Sequence, residues 1–428
     1  MAKARQDRRT FLRTLAGSAL AGASSLRGMF GRSALSLASA DPSAAASQAS
    51  APVPSASPVS GTGMRYRRLG RTGLRVSEIS LGSSPLPDTT LLRTLIDRGV
   101  NYIDTSHNYE NGNCERQIGR LVKEAGRDKV YVATKFHVTP RDTKASIMAS
   151  AHGSLRRLAT DTIDVLLIHG AESASVLVDE RVLAAFEELK KEGAYRFRGL
   201  SCHANHDEVI RKAVDCGFYD MVQLGYNVFD IQEQAAAAKV ETYPDYLGAS
   251  GIRGLIELAH SRDVGVIAMK TLKVGGRRQD LTSYRTGTTS LFQAMLKWVL
   301  ANDRVTSALT EILNRQQMEE DLGAVEAPLT ADELRTLRRY VRENGRDYCH
   351  ACSACRRACP SGVATTAILH ALFYHESYGK TRRAREAYAA LEPTERVTSC
   401  RGCGTCEATC PYGVKVKERI REAESLLA

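Results

Sequence analysis

The sequence predicts an α/β protein built as a (β/α)8 TIM barrel followed by a small all-helical domain. Two observations predict this. Eight short apolar runs alternate with helical patterns within residues 64–345, and eight of the eleven cysteines repeat one spacing within residues 346–428. Ahead of both lie a basic leader, residues 1–40, and a Ser/Ala/Pro stretch, residues 41–63.

The leader carries Arg8-Arg9-Thr10-Phe11-Leu12-Arg13, an apolar stretch from Thr14 to Leu26, and Ala38-Ser39-Ala40 before Asp41. This pattern is similar to a twin-arginine export signal with a small-residue cleavage site. It implies an exported, periplasmic protein. The apolar stretch is too short and Gly-rich for a comfortable membrane span, so no span is expected once it is removed. Residues 41–63 have almost no charge and no periodicity, the composition of a flexible linker.

The net charge of +11 shrinks on the same reading. Residues 1–40 hold seven Lys/Arg against one Asp, leaving +5 for the mature chain. That surplus makes no case for nucleic-acid binding.

The predicted barrel opens with a polar hairpin, Met64 to Val76, turning at Gly70-Arg71-Thr72-Gly73. The predicted strands are Ile79–Gly82, Tyr102–Thr105, Val130–Thr134, Val165–His169, Gly199–Cys202, Met221–Leu224, Val264–Met269 and Thr306–Leu309. Each is followed by a helical or loop segment, the pattern of a parallel barrel. A capping box, Thr330 with Glu333, starts a helix after Pro328. In such a barrel, chemistry belongs at the C-terminal ends of the strands.

The cysteines of the last domain read C-x2-C-x2-C-x3-C-P twice. They are Cys349, Cys352, Cys355 and Cys359 before Pro360, then Cys400, Cys403, Cys406 and Cys410 before Pro411. Three thiolates on a tight loop reach three corners of an Fe4S4 cube, and the fourth ligates the other cluster. One cluster is therefore assigned Cys349, Cys352, Cys355 and Cys410, and the second Cys400, Cys403, Cys406 and Cys359. Zinc or disulfides are the alternatives, but a zinc ribbon leaves half of each run idle. Each oxidised cluster with its thiolates carries about −2, which brings the mature protein close to neutral. Between the runs, Ala364–Tyr378 and Arg382–Leu391 read as helices. The module resembles the helical two-cluster ferredoxin domains fused to redox enzymes, which implies a wire to a redox partner protein. Twin-arginine export moves folded proteins, which suits clusters acquired in the reducing cytoplasm.

At the predicted strand ends stand Asp104, Tyr109 in Asp104-Thr105-Ser106-His107-Asn108-Tyr109, Lys135 and His169. In this order and spacing they resemble the tetrad of the aldo/keto reductases. The resemblance covers residues 64–325, with Arg68-Leu69-Gly70 at its start and Gln317-Met318-Glu319-Glu320 near its end. It implies a small-molecule carbonyl or alcohol substrate, with Tyr109 as proton donor. A phenol with a pKa near ~10 keeps its proton at neutral pH, and Lys135 is expected to lower that pKa while Asp104 holds Lys135 and His169 orients the carbonyl.

The resemblance places Ser201 and Gln223 on the carboxamide of an NAD(P)H cofactor, and Lys270, where the sequence leaves the family pattern, could meet a phosphate. The sequence departs from the family at Cys202, at Met269-Lys270, and at Glu311, which would repel a 2′-phosphate. These departures, with Ser201-Cys202-His203 and the C-terminal cysteines, are similar to the ferredoxin-fused branch. Three function classes follow: a nicotinamide-dependent carbonyl/alcohol oxidoreductase, the same tetrad fed directly by clusters, and an electron-transfer or binding module that has lost catalysis. A hydride carries two electrons and a cluster passes one, so the second class calls for an intermediate carrier.

His107, His137, His169, His203 and His206 gather near the predicted mouth, and with Cys114 and Cys202 they form a candidate metal site of no recognised ligand spacing. Cys216 is expected in the core. Pocket size depends on the loops Gln232–Gly251 and Gly275–Thr289.

Changing Arg8 and Arg9 to Lys is expected to strand the precursor in the cytoplasm, because a receptor reads the pair rather than bulk charge. Unchanged periplasmic appearance of that variant rules the route out.

Overall fold

The computed structural model of the protein describes residues 61–231, 251–272 and 281–428. The leader, nearly all of the linker, and much of the two pocket loops lie outside the described residues.

The described chain begins with a hairpin in which β1 (Tyr66–Arg68) pairs antiparallel with β2 (Arg75–Ser77). Its turn holds Gly70 at φ +46°, pressed onto Gly265 and Asp263 so that a β-carbon has no room. Leu69, Leu74 and Val76 of the hairpin join Tyr102, Tyr131, Val165, Met221 and Ile267 in one apolar cluster. Those partners lie in the early part of their strands, so the hairpin plugs the N-terminal end of the barrel.

Eight parallel strands form the closed barrel: β3 (Ile79–Gly82), β4 (Tyr102–Asp104), β5 (Tyr131–Phe136), β6 (Ile163–Ala171), β7 (Tyr195–Cys202), β8 (Met221–Gly225), β9 (Gly265–Met269) and β10 (Ser307–Thr310). Pairing of β10 with both β9 and β3 closes it. The predicted run at β3 is reproduced, and the others shift at an end by a few residues, most at β7. Successive side chains alternate across a strand. On β5, Tyr131 and Ala133 belong to the inner cluster, whereas Val132 and Phe136 belong to the outer core under the helices.

The expected capping box is present at the helix Ala331–Asn344. Thr330 Oγ1 accepts from the Glu333 amide at 3.2 Å, and Glu333 Oε2 accepts from the Thr330 amide at 2.7 Å. The other Glu333 oxygen accepts from Lys297 Nζ at 2.8 Å, and both side chains are buried.

The C-terminal domain is helical: Ala354–Arg357, Thr365–Glu376, Thr381–Ala389, Thr405–Ala408 and Val416–Leu427. The two long predicted helices are found, the first trimmed at both ends and the second starting one residue earlier and ending two residues sooner. Val363, Ile368, Leu372, Ala384, Tyr388 and Ile420 supply its core. No described helix is long and apolar enough to cross a membrane. The domain packs against the barrel beyond the C-terminal ends of β7 and β8. Tyr348 stacks on Phe229 at 4.4 Å and accepts from Asn227 Nδ2 at 2.9 Å, while the Asn205 amide donates to Ala351 O at 3.2 Å.

Removing one member of a buried ion pair leaves a charge without a partner, at a cost of about 3–5 kcal/mol. Lys297→Met is therefore expected to lower the unfolding free energy by about that amount in denaturant titrations, and Lys297→Met with Glu333→Leu to recover part of it. A single variant as stable as the parent contradicts the pair.

Candidate active site

Strand parity decides which side chains reach the mouth. Asp104, Lys135, His169, Ser201 and Gln223 stand near the ends of β4 to β8. Each lies two residues beyond an inward-facing position; Tyr102, Ala133, Leu167 and Met221 at four of these belong to the apolar inner layer. The apolar layer thus becomes the floor and these side chains the first polar ring above it.

Lys135 Nζ donates to Asp104 Oδ2 at 2.5 Å and to Thr105 O at 2.8 Å, with side-chain exposures of 2% and 5% for Lys135 and Asp104. Gln223 Nε2 donates to the other Asp104 oxygen at 2.7 Å. Burial pulls the Lys135 pKa down and the Asp104 carboxylate pulls it back up.

Tyr109 is half-buried on the loop after β4, with Lys135 Nζ 5.2 Å from its ring centre and the His169 ring edge-on at 5.7 Å. Burial first, then Asp104, pushes the phenol well above its usual pKa, and the cation that pulls it down is Arg383. The expected lowering by Lys135 is thus corrected: its ammonium is committed to Asp104 and Thr105. His169 Nδ1 shares a hydrogen bond with Ser106 Oγ at 2.9 Å. Burial, then the Lys135 charge, depresses its pKa well below the usual value, so the imidazole is neutral at pH 7.

The histidines form a connected series. His107 and His137 lie 5.5 Å apart, His137 stacks on His169 at 4.2 Å, and His203 follows at 5.8 Å. The series then leaves the barrel for His370 of the C-terminal domain at 6.1 Å. The two sulfurs expected beside them are elsewhere. Cys202 has the outward parity and packs in the outer core, and Cys114 is buried on the helix Asn113–Ala125. Cys216 is half-buried rather than in the core itself.

For a nicotinamide the residues divide. Gln223 Oε1 is buried without a hydrogen-bond partner among the described residues, an acceptor that suits a carboxamide N–H, and Ser201 Oγ already accepts from the Gly170 amide at 2.9 Å. Lys270 lies just past β9 at φ +58°, with Nζ 3.3 Å from His370 Nε2, and burial lowers its pKa to about 8. Glu311 is held by Lys380 at 3.1 Å. Both positions assigned to the phosphate end are thus engaged by the C-terminal domain. The residues fit the carboxamide and do not fit the phosphates.

The eight motif cysteines wall two separate cavities. Cys349, Cys352, Cys355 and Cys410 surround one, and Cys359, Cys400, Cys403 and Cys406 the other, which is the crossed assignment. The amides of Ala351, Gly402 and Val414 each point at a cysteine sulfur at 3.4 Å. Thr365 and Thr405 hydroxyls lie 3.1 and 3.2 Å from the sulfurs of Cys355 and Cys403. A soft all-sulfur set with hydrogen bonds aimed at the sulfurs fits an iron–sulfur cluster in each cavity.

A third cavity lies between the barrel mouth and the first cysteine run, lined by His203, Lys270, His370, Tyr348 and Cys349. Cys349 is shared by this cavity and the first cysteine cavity. His370, Tyr374, Lys380 and Arg383 are the site residues that sequence reasoning missed. His370 and Lys380 follow their barrel partners Lys270 and Glu311 by 100 and 69 positions, and the local mark of the group is the basic run Lys380-Thr381-Arg382-Arg383.

Two family models match the chain: one described as the aldo/keto reductase family over residues 88–289, and one described as a 4Fe-4S dicluster domain over residues 348–415. An uncharacterized oxidoreductase of Bacillus subtilis is 27% identical over 304 residues, 66% of this chain and 98% of its own. L-Galactose dehydrogenase of Arabidopsis thaliana is 25% identical over 301 residues, 62% of this chain and 89% of its own. Among solved structures, an aldo-keto reductase from Bacillus halodurans has a TM-score of 0.50 at 26% identity, covering 65% of this chain and 96% of that one. An aldo/keto reductase from Klebsiella pneumoniae, in complex with NADP and acetate, has a TM-score of 0.51 at 22% identity, covering 65% and 95%, a likeness of fold alone.

Proposed function

The chain joins an aldo/keto reductase domain to a C-terminal 4Fe-4S dicluster domain, and from that premise we propose an exported oxidoreductase that interconverts a carbonyl and an alcohol at the barrel mouth. Tyr109 is the proton donor, and electrons are relayed through two 4Fe-4S clusters held by the crossed cysteine sets. The observation that carries this reading is the shared wall: Cys349 lines both the mouth cavity and the first cysteine cavity. The leader with Arg8 and Arg9 supports the exported location.

Carbonyl reduction takes two electrons and two protons: Tyr109 gives the proton of the hydroxyl, and the carbon takes the other proton with the electron pair as a hydride from a two-electron carrier, which clusters in the two cysteine sets would recharge one electron at a time. The residues of the mouth handle the oxygen. Tyr109, with its pKa raised, keeps its proton until negative charge develops on the carbonyl oxygen and then gives it up. The neutral imidazole of His169, held by Ser106, orients that oxygen. Asp104 keeps Lys135 in place, and Gln223 keeps Asp104 in place. His370 on Lys270 and Lys380 on Glu311 favour electrons arriving through the C-terminal domain over those of a soluble nicotinamide.

Tyr109→Phe is expected to lower carbonyl turnover by about 10²–10⁴-fold while leaving iron content unchanged. In the parent, carbonyl reduction is expected to hold from pH 7 to about 9, because the raised phenol pKa keeps the donor protonated there. Turnover that survives the substitution with an unchanged pH profile removes Tyr109 from this role.

Protein purified anaerobically is expected to hold about eight iron and eight labile sulfide per chain. Cys359→Ser is expected to cost the cluster bound by Cys400, Cys403 and Cys406, leaving about four iron. Iron near zero with stoichiometric zinc overturns the cluster assignment.

A further inference from the structure

Four basic side chains converge on the mouth. Lys135 pairs with Asp104 and Lys380 with Glu311, while Lys270 Nζ lies 3.3 Å from His370 Nε2 and forms no ion pair among the described residues. Arg383 is the fourth. It sits half-buried on the helix Thr381–Ala389 and forms no ion pair among the described residues. Its guanidinium lies over the Tyr374 ring, 4.5 Å from the centre, and reaches Ser84 Oγ only at 3.5 Å. Ser84 follows the C-terminal end of β3, and the Tyr374 ring lies 5.0 Å from that of His370, so the guanidinium stands at the mouth; its charge also bears on Tyr109 and His169.

A guanidinium resting on an aromatic ring has its fork plane set in advance. Its N–H edges then suit an oxyanion, which they bind by paired, charge-assisted hydrogen bonds. The carboxylates that would otherwise take this role are occupied: Asp104 by Lys135 and Gln223, and Glu311 by Lys380. With Lys270 and Arg383 both outside ion pairs among the described residues, the mouth favours negative charge in what enters it, and of the two only Arg383 presents a fork.

We propose that the mouth takes carbonyl or hydroxy compounds that carry a carboxylate, and that Arg383, supplied by the C-terminal domain, is the residue that binds that carboxylate. The proposal names the substrate class of the carbonyl–alcohol site and rests on that reading of the mouth. It also makes the C-terminal domain a part of the substrate site, contributing recognition from outside the barrel.

The test is calorimetric binding to the oxidised holoprotein under anaerobic conditions, with pyruvate and its neutral methyl ester as the matched pair. Pyruvate is expected to bind at least about tenfold tighter than methyl pyruvate, a single good charge-assisted contact. Arg383→Gln is expected to abolish that preference without changing the affinity for methyl pyruvate, and Arg383→Lys to restore it only in part, because the fork is lost. A roof damaged by substitution weakens both compounds alike, which separates structural harm from lost recognition. Equal affinities in the parent, no binding of pyruvate, or a preference that survives Arg383→Gln each overturn the proposal. Inorganic phosphate that competes more strongly than pyruvate overturns the carboxylate assignment in favour of phosphate esters. Tyr109→Phe is expected to keep the pyruvate preference while losing turnover, so failure of the proton-donor reading and failure of this one give different results.

Discussion

A lysine ammonium almost wholly removed from water has to be met by a carboxylate in good geometry, and the barrel mouth is arranged around meeting that demand. Taking both charges of Lys135 and Asp104 out of water costs several kcal/mol per ion, which their attraction offsets only when the remaining lone pairs and protons are also satisfied. Here Thr105 O takes a second ammonium proton and Gln223 covers the second carboxylate oxygen. Three strands are involved, β4, β5 and β8, so their register is tied to the pair. A slip of one residue in any of them would turn the polar ring outward and leave a buried charge unanswered. Tyr109 and His169 are placed by the loop and strand next to this pair, and their perturbed protonation follows from the same dry surroundings.

The barrel was legible in the sequence because its signals are local. A short apolar run bounded by turns says strand, and β3 at Ile79–Gly82 was read to its ends. Asp104, Lys135 and His169 could be placed because each ends such a run. What local pattern could not supply was side-chain direction at the last residue: Ser201 and Cys202 are adjacent, and parity sends one into the mouth and the other into the outer core. The engagement of Lys270 and Glu311 was invisible for a different reason. Their partners, His370 and Lys380, stand 100 and 69 residues further along the chain, and no periodicity encodes a contact between domains.

The C-terminal domain shows its duplicated plan in backbone angles as well as in cysteines. Ala351 and Ser353 have φ of +55° and +61°, and the equivalent positions of the second run are Gly402 and Gly404 at +72° and +78°. Glycine takes these angles freely, while Ala and Ser pay about 1 kcal/mol or more each. The first run accepts that cost next to the barrel, where the Ala351 carbonyl receives the Asn205 amide. His350 beside it lies flat on Tyr412 at 3.6 Å, which fastens the first run to the tail of the second.

The helices Thr365–Glu376 and Thr381–Ala389 are strung between the two cysteine runs, and with Lys380 at the start of the second they carry His370, Tyr374 and Arg383 over the mouth. Whatever gathers the sulfurs into their two sets therefore bears on the cover of the mouth as well. Were the sets to hold clusters as proposed, loss of iron would be felt at the mouth through the apolar core that the cysteines share with these helices.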